Sequence, residues 1–216
     1  MNNARVSLVV FDWDGTVMDS IGRIVSSMQS AARLTKLVVP SDHAVKQIIG
    51  LSLDPAFDIL FSNLTAIKRQ QLFEHYRDQY LIHDTTPTPL FDGVETVLKQ
   101  LKDNNIKLAV ATGKARKGLQ RMFDETGLAS YFDFSRCADE AQSKPDPDML
   151  KQILAKLAIP AEQAVMVGDT SHDMKMAQAI AMPRIGVTHG VHDAEVLNQY
   201  QPKAIIDSIP ELLGVL

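Results

Sequence analysis

The sequence predicts an α/β fold, a parallel sheet core with an all-helical cap domain inserted after its first strand. Three observations predict it. Beyond residue 87, short apolar runs alternate with helix-period stretches, the pattern of a parallel sheet with helical crossovers. Residues 18–86 carry helical periodicity and no strand signal. The apolar run Val6-Ser7-Leu8-Val9-Val10-Phe11 precedes that insertion and ends in Asp12-Trp13-Asp14-Gly15-Thr16, a buried strand feeding a tight turn. The core is therefore assigned to 1–17 and 87–216, and the cap to 18–86.

Each element follows from its residues. After the Asp-rich turn, Ile21, Ile24, Val25, Met28 and Ala32 recur on one helical face. Pro40-Ser41-Asp42 starts a second helix, with Ser41 or Asp42 as N-cap and Gly50 near its end. Asp54-Pro55 opens a third, with proline suited to the first turn. Leu64 to Leu81 is a longer amphipathic stretch, and Phe57, Phe61, Phe73, Tyr76 and Tyr80 read as the cap's own core. Thr85-Thr86-Pro87-Thr88-Pro89 is a linker, because prolines block helix continuation and hold their neighbours extended.

The core then proceeds through helix 93–104, strand 106–112, helix 115–126 stopped by Gly127, and a strand within 131–137. Helix 147–157, strand 164–167, helix 171–181 and the strands 184–187 and 204–206 complete it.

The 216 residues suffice for one core with an insertion, and 45% apolar content supports a buried interior. A net charge of −4 argues against nucleic acid or an anionic membrane as the main partner. The single cysteine, Cys137, allows no intramolecular disulfide and reads as a small packed residue near a strand end. Arg5 is followed by no long apolar segment, so no signal peptide is expected, and no run spans a bilayer. A cytoplasmic location is the expectation.

Chemistry collects at the strand ends. Asp12 and Asp14 follow the first strand, Thr112 and Gly113 the second core strand, and Asp169 the strand 164–167, with Asp173 one turn later. A parallel sheet brings these ends to one edge, where ligands bind in open α/β folds. Lys144 lies in Ser143-Lys144-Pro145-Asp146-Pro147, a loop stiffened by two prolines. Crowded carboxylates repel and resist burial, so chemistry or a cation is the usual reason for them. Asp12, Asp169 and Asp173 offer hard oxygen ligands of the kind Mg²⁺ takes alongside a substrate phosphate. The Thr112 hydroxyl and nearby backbone N–H groups suit phosphate oxygens, and Lys144 suits a further one. A carboxylate can serve as nucleophile, and a second acid two residues on can handle the proton.

Four motifs occur in order: Asp12-Trp13-Asp14-Gly15-Thr16, Thr112-Gly113-Lys114, Lys144-Pro145, and Gly168-Asp169-Thr170 with Asp173. On them the chain resembles the haloacid dehalogenase superfamily of phosphohydrolases, in the branch with a helical cap, and within it the phosphoglycolate phosphatase-like members. The resemblance covers nearly the whole chain and implies a Rossmann-like core. It implies Asp12 as nucleophile and Mg²⁺ ligand, and Asp14 as general acid/base with its backbone carbonyl on the metal. It implies Thr112 and the Gly113 backbone as phosphate ligands, Lys144 as partner of nucleophile and phosphate, Asp169 as a metal ligand, and Asp173 as its support. Trp13 fills a slot of varied residue type and receives no role.

The implied activity is Mg²⁺-dependent hydrolysis of a small phosphorylated metabolite through an aspartyl-phosphate. Asp14 favours phosphate over carbon–halogen chemistry, since a halide leaves without a proton. A phosphomutase of the β-phosphoglucomutase type, a pyrophosphatase, and a non-enzymatic receiver-type domain are the alternatives. Receivers place their paired acids differently and lack a cap. Lys114 reads equally as a solvated residue or a cap-facing substrate contact. Gly50-Leu51-Ser52 is the cap segment expected to face substrate. His172 reads as a surface residue at a helix start, and His189 and His192 as neighbours of the pocket.

Overall fold

The computed structural model describes residues 6–216; Arg5 and the other residues of 1–5, assigned above to the core, lie outside the described residues. Six strands, β1 (Leu8–Phe11), β2 (Lys107–Ala111), β3 (Phe134–Arg136), β4 (Ala164–Gly168), β5 (Arg184–Val187) and β6 (Ala204–Ile206), form one sheet ordered β3-β2-β1-β4-β5-β6. Every pairing is parallel. This is a Rossmann-like α/β sheet, and the chain reverses its direction of growth between β1 and β4.

The helices are α1 (Ile21–Leu34), α2 (Asp42–Lys46), α3 (Leu53–Leu60), α4 (Ala66–Asp78), α5 (Val94–Asp103), α6 (Arg116–Thr126), α7 (Asp148–Leu157), α8 (Ser171–Gln178), α9 (Ala194–Asn198) and α10 (Leu212–Val215). Strand alternation sorts the core into two layers. Val9 and Phe11 point into one with Val97 and Leu98 of α5 and Leu119 of α6. Leu8 and Val10 point into the other with Met149 and Ile153 of α7 and Met176 of α8. Helices thus cover both faces, which is why β1 is apolar at consecutive positions.

A separate apolar cluster lies among α1–α4, built from Ile24, Val25, Met28, Val45, Ile49, Phe57, Leu72 and Tyr80. Ser41 is the N-cap of α2, its hydroxyl accepting the Ala44 N–H at 3.2 Å. Phe73 departs from expectation: it is 41% exposed, because it falls on the solvent side of α4. The expected helix to Leu81 stops at Asp78 and continues as a π turn, Gln79–His83.

The two linkers to this cluster run side by side. Asp19 N–H donates to the Pro89 carbonyl at 2.8 Å, and Phe91 N–H donates to the Val17 carbonyl at 3.1 Å. Asp84, accepting from Ser26, Ser27 and the Thr86 N–H, ties the second linker to α1. No helix among the described residues is long and apolar enough to cross a membrane.

Candidate active site

The register of the sheet positions the acids. Phe11 pairs with Val110 on one side and Val167 on the other, and Asp12 N–H donates to the Val167 carbonyl at 2.9 Å. Asp12 therefore sits one step past the end of β1, between Ala111-Thr112 and Gly168-Asp169, at the point where the strand order reverses. Asp12, Thr112, Lys144, Asp169 and Asp173 are all at most 2% exposed.

Asp12, Asp169 and Asp173 form a compact group, each offering an oxygen within 4.8 Å of the others. Lys144 Nζ lies 2.7 Å from Asp12 Oδ1 and 2.6 Å from Asp173 Oδ1. The first contact is an ion pair, and among the described residues neither carboxylate oxygen of Asp12 has a partner of regular hydrogen-bond geometry. Asp173 is the better held. Its Oδ2 accepts from the Thr170 hydroxyl at 2.7 Å and the Thr170 N–H at 3.2 Å, closing a capping box at the start of α8. Asp169 accepts from the Thr16 hydroxyl at 2.8 Å and the Val191 N–H at 2.9 Å. Gly15, at φ +80°, packs its α-carbon against the Asp169 carboxylate where a Cβ would collide.

The electrostatics follow from burial. Desolvation, with the charges of Asp173 and Asp169, pushes Asp12 well above the ordinary aspartate range even though Lys144 pulls it down. Desolvation and the Asp173 charge push Asp169 up to about 7. Burial alone would lower Lys144, but Asp12 and Asp173 outweigh it and hold the ammonium charged. One buried ammonium faces three buried carboxylates, and Asp12 Oδ2 lacks a donor among the described residues. That donor set fits a hard divalent cation.

Asp14 turns elsewhere. Its Oδ1 accepts a hydrogen bond from the Ser20 hydroxyl and lies 2.8 Å from Lys114 Nζ. The side chain of Asp14 is thus outside the group formed by the other three acids. Thr112 is buried at the end of β2, its Oγ1 accepting the Lys114 N–H at 3.2 Å. Gly113 lies beneath the segment that joins α2 to α3: a Cβ there would stand 2.6 Å from the carbonyl oxygens of Gly50 and Leu51. The Gly50–Ser52 segment accordingly reaches the strand ends, and Ser52 N–H donates to Ser143 Oγ at 3.0 Å.

Several contacts had no sequence signal. His172 is half-buried rather than on the surface, because its Nε2 meets the Gln47 carbonyl at 3.1 Å. His192, 6% exposed, accepts the Ser171 N–H at Nδ1 and faces Gln47 Oε1 at 3.4 Å. Burial lowers the affinity of both imidazoles for a proton. Ser20 and Tyr80, both in contact with the Asp14–Lys114 pair, carry no motif.

Residues 9–187 match the model of the haloacid dehalogenase-like hydrolases. The chain belongs to that family. It is 36% identical to "Probable phosphatase IndB" of Dickeya dadantii, over 96% of this chain and 92% of that protein. It is 28% identical to pyrophosphatase PpaX of Bacillus pumilus over 100% and 99% of the two chains. The crystal structure of a predicted phosphatase from Clostridium acetobutylicum superposes with a TM-score of 0.84 at 28% identity, covering 96% of each chain. The family resemblance read from the four motifs is borne out.

Proposed function

We propose that the protein is a phosphatase that hydrolyses a small phosphomonoester, phosphoglycolate-like in size, through an aspartyl-phosphate on Asp12. The observation that carries this reading is Asp12 itself: a buried carboxylate at the strand-order reversal, paired with Lys144 and with an oxygen that no donor occupies. Mg²⁺ is the cation proposed, held by Asp12 and Asp169, supported by Asp173, with the backbone carbonyl of Asp14 as a further ligand. Such a cation would supply neutralisation of phosphate charge next to the nucleophile.

The protein's own groups do the rest. The Thr112 hydroxyl and the Gly113 backbone receive phosphate oxygens, and Lys144 balances the charge of Asp12 and of a further oxygen. The Asp12 carboxylate attacks phosphorus, and the bond from phosphorus to the ester oxygen breaks. Asp14 donates its proton to that departing oxygen. Water then attacks phosphorus, Asp14 takes a proton from it, and the bond from phosphorus to Asp12 breaks, which frees inorganic phosphate and restores both acids. Residues 18–86 act as a cap that excludes bulk water, while 1–17 and 87–216 act as the catalytic core. A cytoplasmic setting belongs to the same proposal, supported by the unpaired, buried Cys137.

A second reading, hydrolysis of pyrophosphate, is favoured by the full-length similarity to a protein named as a pyrophosphatase. The test is phosphate release from a panel of phosphomonoesters and pyrophosphate, with Mg²⁺ and with chelator. A clear kcat/KM preference for one monoester, lost with chelator, is expected. Preference for pyrophosphate moves the assignment to the second reading, and no release from any compound defeats both.

A further inference from the structure

Two lysines of the site serve different acids, Lys144 both Asp12 and Asp173, and Lys114 Asp14. Lys144 stands on Asp12; Lys114 stands on Asp14, its Nζ 2.8 Å from Oδ1. The Lys114 and Asp14 side chains are each 11% exposed, so solvent screens the pair far less than it screens a surface salt bridge. The backbone of Lys114 is pinned at both ends: its N–H donates to Thr112 Oγ1 at 3.2 Å, and its carbonyl accepts from Ala138 N–H at 2.9 Å. The ammonium is pinned from above as well. It donates to the Tyr80 hydroxyl at 3.2 Å and lies 5.0 Å from the centroid of the same ring. Tyr80 is buried on the π turn that follows α4, next to Tyr76.

From this geometry we infer that Lys114 is a positioning residue for Asp14, aiming its carboxyl at the departing ester oxygen, and that Tyr80 makes that aim depend on the docked cap. The inference rests on the phosphatase reading above. Lys114 is already engaged by Asp14 and Tyr80, and Lys144 already serves Asp12. A role as a free surface lysine does not fit this placement, and neither does a role as the sole phosphate cation. Tyr80 contributes one neutral hydroxyl and one aromatic face, which fix an ammonium in place without neutralising it.

Leaving-group dependence tests the inference. p-Nitrophenolate departs without a proton, whereas the alkoxide of β-glycerophosphate needs one. The kcat/KM for each ester covers the steps through phosphoryl transfer to Asp12 and excludes the later attack of water. In the presence of Mg²⁺, wild type, Lys114→Met, Lys114→Arg and Tyr80→Phe are compared on both esters, with thermal unfolding as the check on folding. A misaimed general acid forfeits part of a contribution of about 10²–10⁴, so Lys114→Met is expected to lose at least about 10-fold more on β-glycerophosphate than on p-nitrophenyl phosphate. Lys114→Arg is expected to recover most of that difference, and Tyr80→Phe to show a smaller loss of the same selectivity. If Lys114→Met does not fold, the same selectivity read in Tyr80→Phe decides the matter. Equal losses on both esters, or none on either, overturn the inference while leaving the phosphatase reading intact. Wild-type protein inactive on both esters overturns the two together.

Discussion

Lys144 holds its ammonium nitrogen 2.7 Å from Asp12 Oδ1, and neither side chain is more than 1% exposed. A pair this deep is costly to assemble and costlier to break, because the survivor keeps its charge without water. Lys144→Met would leave Asp12, Asp169 and Asp173 with no ammonium among them. The expected result is a loss of about 3–5 kcal/mol in urea unfolding, in the range seen when one partner of a buried pair is removed. Added Mg²⁺ is expected to restore part of it. An unchanged midpoint would show that Lys144 does not balance the acids.

The opposite sign is expected at Asp12. Burial already raises this carboxyl's affinity for a proton, so its ionised form opposes folding. Asp12→Asn presents a neutral group of similar shape. Without divalent cation at mildly alkaline pH, its Tm is expected to equal or exceed that of wild type, while turnover is lost. Loss of turnover with a collapsed Tm would mean that Asp12 is structural.

Asp169 sets a pH window. Desolvation and Asp173 lift it to about 7, against the Thr16 and Val191 hydrogen bonds. An acid raised in the folded state gives stability that is full below its unfolded pKa and is lost as pH rises through the folded one. Cation-free protein is therefore expected to lose Tm between about pH 4 and about pH 7 through this group. A Mg²⁺ held by Asp169, as proposed, would compete with the proton for the same oxygens, so Mg²⁺ is expected to raise Tm more at about pH 8 than at about pH 5. Equal shifts at both pH values would separate the cation from Asp169.

Gly113 marks the close approach of the Gly50–Ser52 segment to the end of β2. An added methyl at this position meets the Gly50 and Leu51 carbonyls at 2.6 Å, backbone atoms with little room to yield. Gly113→Ala is expected to lift the cap segment and lower kcat/KM by about 10- to 100-fold, as small misplacements at a reacting site do. Limited proteolysis within residues 84–89 should accelerate in parallel. Unaltered kinetics would show that the cap does not need this close approach.

How much of this was legible in the sequence depended on the range of the interactions involved. β1, β2, β4 and β5 announce themselves as apolar runs because both of their faces are buried, and the register of a parallel sheet then brings Asp12 beside Asp169. Lys144 is legible only as a member of an ordered set, since a lysine in a proline-containing loop has no intrinsic reason to be buried. β3 shrinks to three residues because Leu128–Tyr131 winds into a 3-10 turn first. The short helices α9 and α10, of five and four residues, leave no periodicity to detect. The partners of Lys114 were hidden for another reason. Tyr80 looks like any aromatic of an apolar helix face, and its reach to Lys114, 34 positions away, comes from tertiary packing rather than from local sequence.

The identity of the phosphoryl acceptor tests the central claim most directly. Wild-type protein turning over p-nitrophenyl phosphate with Mg²⁺ is quenched in acid, digested and mapped by mass spectrometry, alongside Asp12→Asn. A phosphoryl group on the peptide's Asp12 is expected in wild type, and none anywhere in the variant. A phosphoryl group on another residue, or steady turnover by Asp12→Asn, would contradict it.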